Sequence, residues 1–160
     1  MDSSPTTRSE DRPWLPPRWF VRSAWAFQRA QYRLTRGRYP LARPRPGKAG
    51  ILRLRTTGRR SGQERAVLVA YWPDGDRYIT LAMNGWGDPP PAWWLNLTAM
   101  PDAAVDTVDG PRPVRGRAAE GEERARLWAG FADYQGWGDG IDRYAALRSR
   151  ETPVVVLEPR

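Results

Sequence analysis

Cysteine and histidine are both absent from the 160-residue chain. The protein can therefore form no disulfide, no Cys/His zinc site and no haem ligation through His or Cys, and it has no thiolate nucleophile or imidazole base. Any catalysis must use tyrosine, serine or threonine, carboxylates, arginine, or a bound cofactor.

Long hydrophobic runs are also missing. The longest stretch without a charged residue, Pro89–Pro101, spans 13 residues, whereas a membrane-spanning helix needs about 20. Arg18 and Arg22 interrupt the apolar residues near the N-terminus, which argues against a cleavable signal peptide. We expect a cytoplasmic protein, with contact at the inner face of the cell membrane left open.

Acidic residues are missing from much of the first half of the chain. Residues 12–63 contain fourteen basic and no acidic residues, and residues 66–160 contain ten basic and fourteen acidic residues. A basic tract without acidic neighbours predicts an anionic partner: nucleic acid, an acidic lipid surface or a phosphorylated small molecule. Because 25 of the 26 basic residues are arginine, the alternative is a solvated surface in an arginine-rich proteome.

Composition divides the chain into four segments. Residues 1–13 are polar and predict a disordered leader. Residues 14–39 contain an amphipathic helix with an aromatic face and an arginine face, which either packs on the core or meets an anionic membrane through residues 14–38. Prolines and glycines indicate a linker at residues 40–50, and residues 51–160 form the main domain.

The main domain alternates between short strands and turns. The patterns predict six strands, namely Ile51–Thr57, Arg65–Trp72, Arg77–Met83, Ala104–Val108, Pro113–Ala118 and Pro153–Leu157. They also predict three helices: one begins near Pro91, and the other two span Glu122–Gln135 and Ile141–Ser149. Most connections are too short for crossover helices. We therefore expect a mainly β fold, a six-stranded barrel with flanking helices.

Two loop segments carry residue types suited to an anionic ligand with a flat ring. The turn Thr56–Arg65 combines glycines, arginines and hydroxyl groups, which can hold a phosphate or carboxylate, although such turns also occur in ordinary hairpins. In Ala82–Leu97, glycines let a ring approach the backbone, and the helix beginning near Pro91 offers the positive end of its dipole. Trp93 and Leu97 lie four residues apart, a spacing that also suits packing of both side chains in the core instead of contact with a ligand.

Three motifs in a fixed order make the chain resemble the deazaflavin (F420)-dependent nitroreductase and quinone reductase family. They are Thr-Thr-Gly-Arg-Arg-Ser-Gly at 56–62 with Arg65, the spacing of Pro91, Trp93, Asn96 and Leu97, and the closing strand Pro153–Pro159. The likeness covers about residues 25–158. It implies a six-stranded split β-barrel like that of FMN-binding proteins, with coenzyme F420 in a groove and FMN as the less favoured cofactor.

The resemblance also implies roles for individual residues. The basic turn would hold the phosphate and acidic tail, and the later loop and helix would flank the deazaflavin, so the implied cofactor-binding residues are Arg59, Arg60, Ser61, Gly62, Arg65, Ala82, Met83, Asn84, Gly85, Trp86, Trp93 and Asn96. The implied substrate-binding residues are Phe27, Val67, Leu68, Tyr71 and Met83. Tyr144, or Tyr134 in its place, would be the catalytic proton donor, provided that an arginine such as Arg143 stabilises the anion left behind. No metal site is implied.

The resemblance implies a reductase that passes a hydride from F420H2 to a small hydrophobic acceptor, namely a quinone, a nitroaromatic or an activated alkene. Val67 and Leu68 replace an Asn-Pro pair of characterised members, and Met83 replaces a pocket serine, so the pocket is more apolar. These departures leave open a non-catalytic protein that binds or stores F420 or a lipid-like ligand on the same barrel. Nucleic-acid binding is disfavoured, because no recognised nucleic-acid-binding motif accompanies the charge. We expect a monomer or homodimer.

Overall fold

The computed structural model describes residues 40–131 and 140–160. Its strands are β1 (Gly50–Thr57), β2 (Glu64–Asp74), β3 (Arg77–Leu81), β4 (Asp102–Thr107), β5 (Gly110–Ala118) and β6 (Val154–Pro159). Its helices are α1 (Ala92–Ala99), α2 (Gly121–Gly130) and α3 (Ile141–Ala145), with a short helical turn at Asn84–Trp86. Within these residues, no helix is both long and apolar enough to cross a membrane. The expected leader, the expected N-terminal helix, Phe27 and Tyr134 lie outside the described residues.

The six strands form one closed antiparallel barrel in the order β1-β2-β3-β6-β5-β4. Strand β1 pairs with β2 along its whole length, from Gly50 opposite Tyr71 to Thr57 opposite Glu64, and its other edge pairs with β4. Closure leaves no long free edge in this sheet. The mainly β, six-stranded barrel predicted from the short connections is confirmed.

Alternating side chains place one apolar cluster inside the barrel and another outside it. In β1 the residues alternate between buried and half-buried positions, as the period-two pattern of a strand requires. The inner cluster comprises Leu52, Leu54, Val69, Tyr71, Ala82, Leu97, Val105, Val114, Val155 and Leu157. The outer cluster joins β3 and β6 to the helices α2 and α3 and comprises Trp72, Ile79, Leu81, Trp86, Ala119, Leu127, Phe131, Ile141, Val154 and Val156.

The strand register brings three connections to one end of the barrel, called here the turn end. They are the β1–β2 turn at residues 58–63, the segment that follows β3, and the segment that precedes β6. Ala82 N–H donates to the carbonyl oxygen of Pro153 at 3.0 Å, which ties the last two together. The two segments predicted to bind the cofactor therefore lie at the same end of the barrel.

Helix α1 covers part of the turn end. Leu97 is 1 % exposed and belongs to the inner cluster. It fits there because Gly116 has no side chain: a Cβ on Gly116 would collide with the branched end of Leu97. The helix is thereby seated on the barrel by one leucine packed against one glycine.

Residues 40–50, expected as a linker, contain a hairpin. Ala42 and Ile51 exchange both backbone hydrogen bonds, at 3.0 and 2.9 Å, and Arg45 and Lys48 exchange two more, at 2.9 and 2.8 Å. The proline and glycine content indicates a break in regular strand structure, but it does not exclude these four bonds.

Helix α3 ends at Ala145, earlier than the predicted end at Ser149. The N–H groups of Leu147 and Arg148 bond to carbonyl oxygens three residues back, at 3.1 Å each. Such i to i−3 bonds tighten the chain into turns rather than continuing the α-helix. The tightened segment carries Arg148 toward the loop that follows β3.

Candidate functional site

The β1–β2 turn is held in shape by its own backbone. Gly58 N–H donates to Gln63 O at 2.8 Å, and Gly62 N–H donates to Gly58 O at 2.7 Å. A Cβ on Gly58 would lie 2.8 Å from Ser61 Oγ, and Gly62 has a φ of +68°. Both positions therefore favour glycine, one for lack of space and the other for its backbone conformation.

Arg59 and Arg60 in this turn, and Arg65 at the start of β2, are exposed. Within residues 40–131 and 140–160, no carboxylate forms an ion pair with any of them. The backbone N–H groups of Arg60 and Ser61 have no acceptor among the same residues. These donors make the turn suitable for an anion such as a phosphate or a carboxylate.

Other arginines of the basic tract are neutralised by later residues. The ion pairs are Arg43 with Asp109, Arg53 with Asp106 at 3.3 Å, and Arg55 with Glu64 at 3.2 Å and Asp106 at 3.1 Å. The expectation of a wholly uncompensated tract therefore needs correction, because strand pairing brings acidic residues from distant parts of the chain beside it. Among the described residues of the tract, Arg45, Lys48, Arg59 and Arg60 form no ion pair, and two of these four lie in the β1–β2 turn.

Asn96 joins this turn to helix α1. Its Oδ1 accepts hydrogen bonds from the backbone N–H of Arg59 at 3.2 Å and from the Arg59 guanidinium at 3.3 Å, and its Nδ2 donates to Thr56 Oγ1 at 3.3 Å. The side chain is 6 % exposed. The amide oxygen is thus engaged within the protein, and Asn96 fixes where the turn lies relative to α1.

The loop after β3 contains three consecutive residues with left-handed φ angles. They are Asn84 at 48°, Gly85 at 61° and Trp86 at 63°. Glycine adopts this conformation freely, but a bulky side chain pays about 1–2 kcal/mol for it. Asn84 Nδ2 donates to Pro89 O at 2.8 Å, and Trp86 N–H donates to Met83 O at 2.8 Å, so hydrogen bonds hold the loop in this shape.

Burial of Trp86 offsets part of that cost. Its side chain is 3 % exposed and belongs to the outer cluster, where Met83 and Tyr144 also pack. The rings of Trp86 and Tyr144 stack, with centroids 5.9 Å apart and planes at 22°. The structure thus brings together three of the predicted site residues: Met83, Trp86 and Tyr144.

Ala82 and Trp93, like the buried Trp86 and Asn96, are predicted cofactor residues with limited access to a ligand. Ala82 is fully buried in the inner cluster, its N–H bonds to Pro153 O, and its carbonyl oxygen accepts a bond from Arg148 at 3.1 Å. Trp93 is half-buried against the same cluster and meets Trp94 edge to face at 6.4 Å. Ala82 therefore anchors the loop, whereas Trp93 combines core packing with partial exposure.

The predicted substrate residues of β2 do not share one location. Val67 packs against the inner cluster, and Leu68 lies on the opposite face of the strand, since successive strand residues alternate. Tyr71 lies seven residues along β2 from Glu64, or roughly 23 Å at about 3.3 Å per residue. It is 5 % exposed and contacts Tyr78 edge to face at 5.4 Å, and burial raises the pKa of its hydroxyl. The structure does not bring Tyr71 to the turn end.

Arg148 is a residue of this end that the sequence analysis missed. It is 7 % exposed, and its guanidinium donates to Ala82 O at 3.1 Å, Thr152 Oγ1 at 2.9 Å and Asp88 O at 3.4 Å. Burial lowers the pKa of Arg148 from its usual value. No local sequence signal finds it, because arginine is ordinarily an exposed residue.

The fold and the turn end together define a β-barrel equipped for an anionic ligand with an apolar part. The profile of the family described as F420H(2)-dependent quinone reductase matches residues 25–159. The F420H(2)-dependent quinone reductase Rv1261c of Mycobacterium tuberculosis is 35 % identical over 139 residues, which cover 82 % of this chain and 87 % of that protein. This chain therefore belongs to the F420H2-dependent quinone reductase family, a family of oxidoreductases whose cofactor is coenzyme F420.

Two solved structures agree with this assignment. One, described as an F420-H2 dependent reductase, is 28 % identical with a TM-score of 0.59 and covers 73 % of this chain and 97 % of its own. Another, described as a domain-swapped dimer, is 27 % identical with a TM-score of 0.63 and covers 86 % of this chain and 99 % of its own. The split-barrel fold implied by the resemblance is confirmed.

Proposed function

We propose that this protein is an F420H2-dependent reductase whose acceptor is a hydrophobic quinone, with nitroaromatics and activated alkenes as further acceptors. The observation that carries this proposal is the group Arg59, Arg60 and Arg65, which have no carboxylate partner among the described residues and lie at the same end of the barrel as the loop after β3. Arg53 and Arg55 on β1, by contrast, form ion pairs with acidic residues.

The turn residues fit the anionic part of F420. The three guanidinium groups and the backbone N–H groups of Arg60 and Ser61 are donors available to phosphate and carboxylate oxygens. Gly62 allows the bend that exposes them, and Asn96 holds Arg59 in place through its amide oxygen. We assign the acidic tail to these residues.

The loop and helix fit the planar part. The half-buried Met83 and Trp93 offer apolar surface near a backbone that glycine at position 85 leaves open, since nothing lies within 4 Å of a Cβ there. When bound, F420H2 supplies a hydride from its deazaflavin ring. The task of the chain is to bind and align the two reactants, to exclude water and to supply a proton.

Tyr144 is the proton donor that we propose among the described residues. Its ring stacks on Trp86, within the cluster that includes Met83. Of the other residues expected to contact the acceptor, Val67 and Met83 contribute apolar surface, while Leu68 faces away from Val67. Phe27 stays a proposal for the acceptor site, and Tyr134 stays the alternative proposal for the proton donor.

Oligomeric state and location are further proposals. Because a solved structure 27 % identical to this chain is described as a domain-swapped dimer, we propose a homodimer in the cytoplasm. Residues 14–38 would contact an anionic membrane, since their sequence separates an aromatic face from an arginine face. Co-sedimentation with anionic and with neutral vesicles tests this contact, and equal recovery with both would contradict it.

The reaction is tested by anaerobic oxidation of F420H2 with menadione, a nitroaromatic and an activated alkene as acceptors. We expect turnover, and we expect Tyr144→Phe to lower kcat while leaving the Kd for F420 unchanged. Tight binding without turnover on every acceptor would instead favour a storage protein. Absence of F420 binding would contradict the proposal.

A further inference from the structure

Arg148 ties together both ends of the strained loop. One nitrogen of its guanidinium donates to the carbonyl oxygen of Ala82 at 3.1 Å, and the other donates to the carbonyl oxygen of Asp88 at 3.4 Å. Thr152 Oγ1 accepts a further bond at 2.9 Å and orients the guanidinium. A single side chain therefore spans the two ends of residues 82–88.

A second contact runs in the opposite direction. The Asp88 carboxylate accepts a hydrogen bond from the backbone N–H of Ser149 at 2.6 Å, and this bond lowers the pKa of Asp88. Residues 82–88 and 148–149 are thus joined by reciprocal bonds. Between the anchors lie Asn84–Trp86, whose left-handed φ angles need an external constraint to persist.

Burying the Arg148 guanidinium costs desolvation free energy, and a role in stability alone does not explain that cost. Among the described residues no carboxylate forms an ion pair with it, and its Nε has no hydrogen-bond partner there. An apolar side chain of similar volume is often neutral or better for stability at such a position. The hydrogen bonds of Arg148 fix the conformation of the loop, and this role explains why a charged residue is buried here.

We propose that Arg148 is a positioning residue that holds residues 82–88 in the conformation that receives F420, with Asp88 as its counterpart. This inference rests on the proposed function, because it takes the loop to flank the cofactor. It gives the C-terminal segment a role in cofactor binding that does not require it to touch the cofactor.

Hydrogen exchange of the protein without cofactor tests the constraint, and a fluorescence titration with F420 tests its consequence. In Arg148→Met both bonds to the loop carbonyls are lost, so we expect amide exchange in residues 82–88 to rise at least about tenfold and the Kd for F420 to rise about tenfold. Arg148→Lys keeps a positive charge but lacks the fork that spans two carbonyls, so it should restore only part of both quantities. If Arg148→Met does not fold, Arg148→Lys and Thr152→Val carry the test.

Arg117→Met is the matched control. Arg117 bonds Glu123 at 2.6 Å and Glu158 at 2.8 Å on the outer surface, so its loss should lower the melting temperature without changing loop exchange or the Kd for F420. If amide exchange in residues 82–88 and the Kd for F420 both stay at their wild-type values in Arg148→Lys, the proposal is overturned. If the wild type itself binds no F420, the proposed function and the link to the cofactor both fail, whereas increased loop exchange in Arg148→Met would still show the constraint.

Discussion

Replacing Arg60 with alanine should weaken F420 binding about tenfold without destabilising the fold. The side chain is exposed, and among the described residues it forms neither an ion pair nor a hydrogen bond. Removing the guanidinium therefore breaks no described ion pair or hydrogen bond, and we expect the stability of the fold to stay unchanged. The whole effect should appear in the binding of an anion.

The magnitude follows from the kind of contact that is lost. A hydrogen bond to a charged group contributes about 1.5–3 kcal/mol, and the lower figure applies at an exposed site where salt screens the charge. Since about 1.4 kcal/mol corresponds to a tenfold change in Kd, we expect a tenfold increase. The effect should shrink as ionic strength rises.

The assay is a fluorescence titration of wild-type and variant proteins with F420 at two salt concentrations. Arg45→Ala is the matched control, because Arg45 is exposed and lies on the hairpin before β1, away from the β1–β2 turn. It removes the same charge from the chain. We expect its Kd to stay at the wild-type value.

Equal weakening by Arg60→Ala and Arg45→Ala would refute the local site, because it would show that only net charge matters. An unchanged Kd in Arg60→Ala would remove this arginine from the site.

Three further predictions concern the packing, the turn and the response to acid. Gly116→Ala should lower the free energy of unfolding by about 1–3 kcal/mol in denaturant melts, because the new Cβ collides with Leu97; an unchanged midpoint would contradict the packing described. Asn96→Ala should raise the Kd for F420 and lower stability, since the groups it now bonds lose their partner; a wild-type titration curve would exclude this role. Glu123, whose pKa is lowered from 4.5 to about 2 chiefly by hydrogen bonds from Arg117, stabilises the fold above pH 4.5, and this contribution should disappear as the pH falls toward 2. In Glu123→Gln the melting temperature should therefore fall less steeply with pH across that range than in the wild type. An equally steep fall in both proteins would contradict this prediction.

The six strands of the barrel and three of their hairpins were accessible from sequence because their signals are local. Leu52 and Leu54 alternate with Arg53 and Arg55, and short turns link β1 to β2, β2 to β3 and β4 to β5. Helix α1 was found from its proline start. The hairpin at residues 42–51 was not found, since nothing local in a proline-rich stretch specifies which carbonyl meets which N–H.

Pairing between distant residues was not accessible. The partner of Arg53 is Asp106, 53 residues away, and only the β1–β4 register brings them together. The sequence shows an excess of arginine but cannot show which arginines are neutralised. That distinction, which separates Arg60 from Arg55, carries the proposed cofactor site.

Side-chain environments were the least predictable part of the site. Arg148 resembles a surface residue in the sequence and is buried in the fold. Tyr71 and Val67 look equivalent as nearby residues on one face of a strand, yet the tyrosine fills the space beside Gly50 at the start of β1. The side-chain bonds of Asn96 to Thr56 and Arg59 depend on how α1 sits on the barrel.

A parallel titration of the purified protein with F420 and FMN tests the central claim most directly, because the two ligands have similar planar tricyclic rings and only F420 carries the acidic tail. The arginine turn predicts saturable binding of F420 that is tighter than that of FMN and weakens with added salt. Equal affinity for the two ligands, or no binding of F420, would contradict the assignment of the turn to the cofactor.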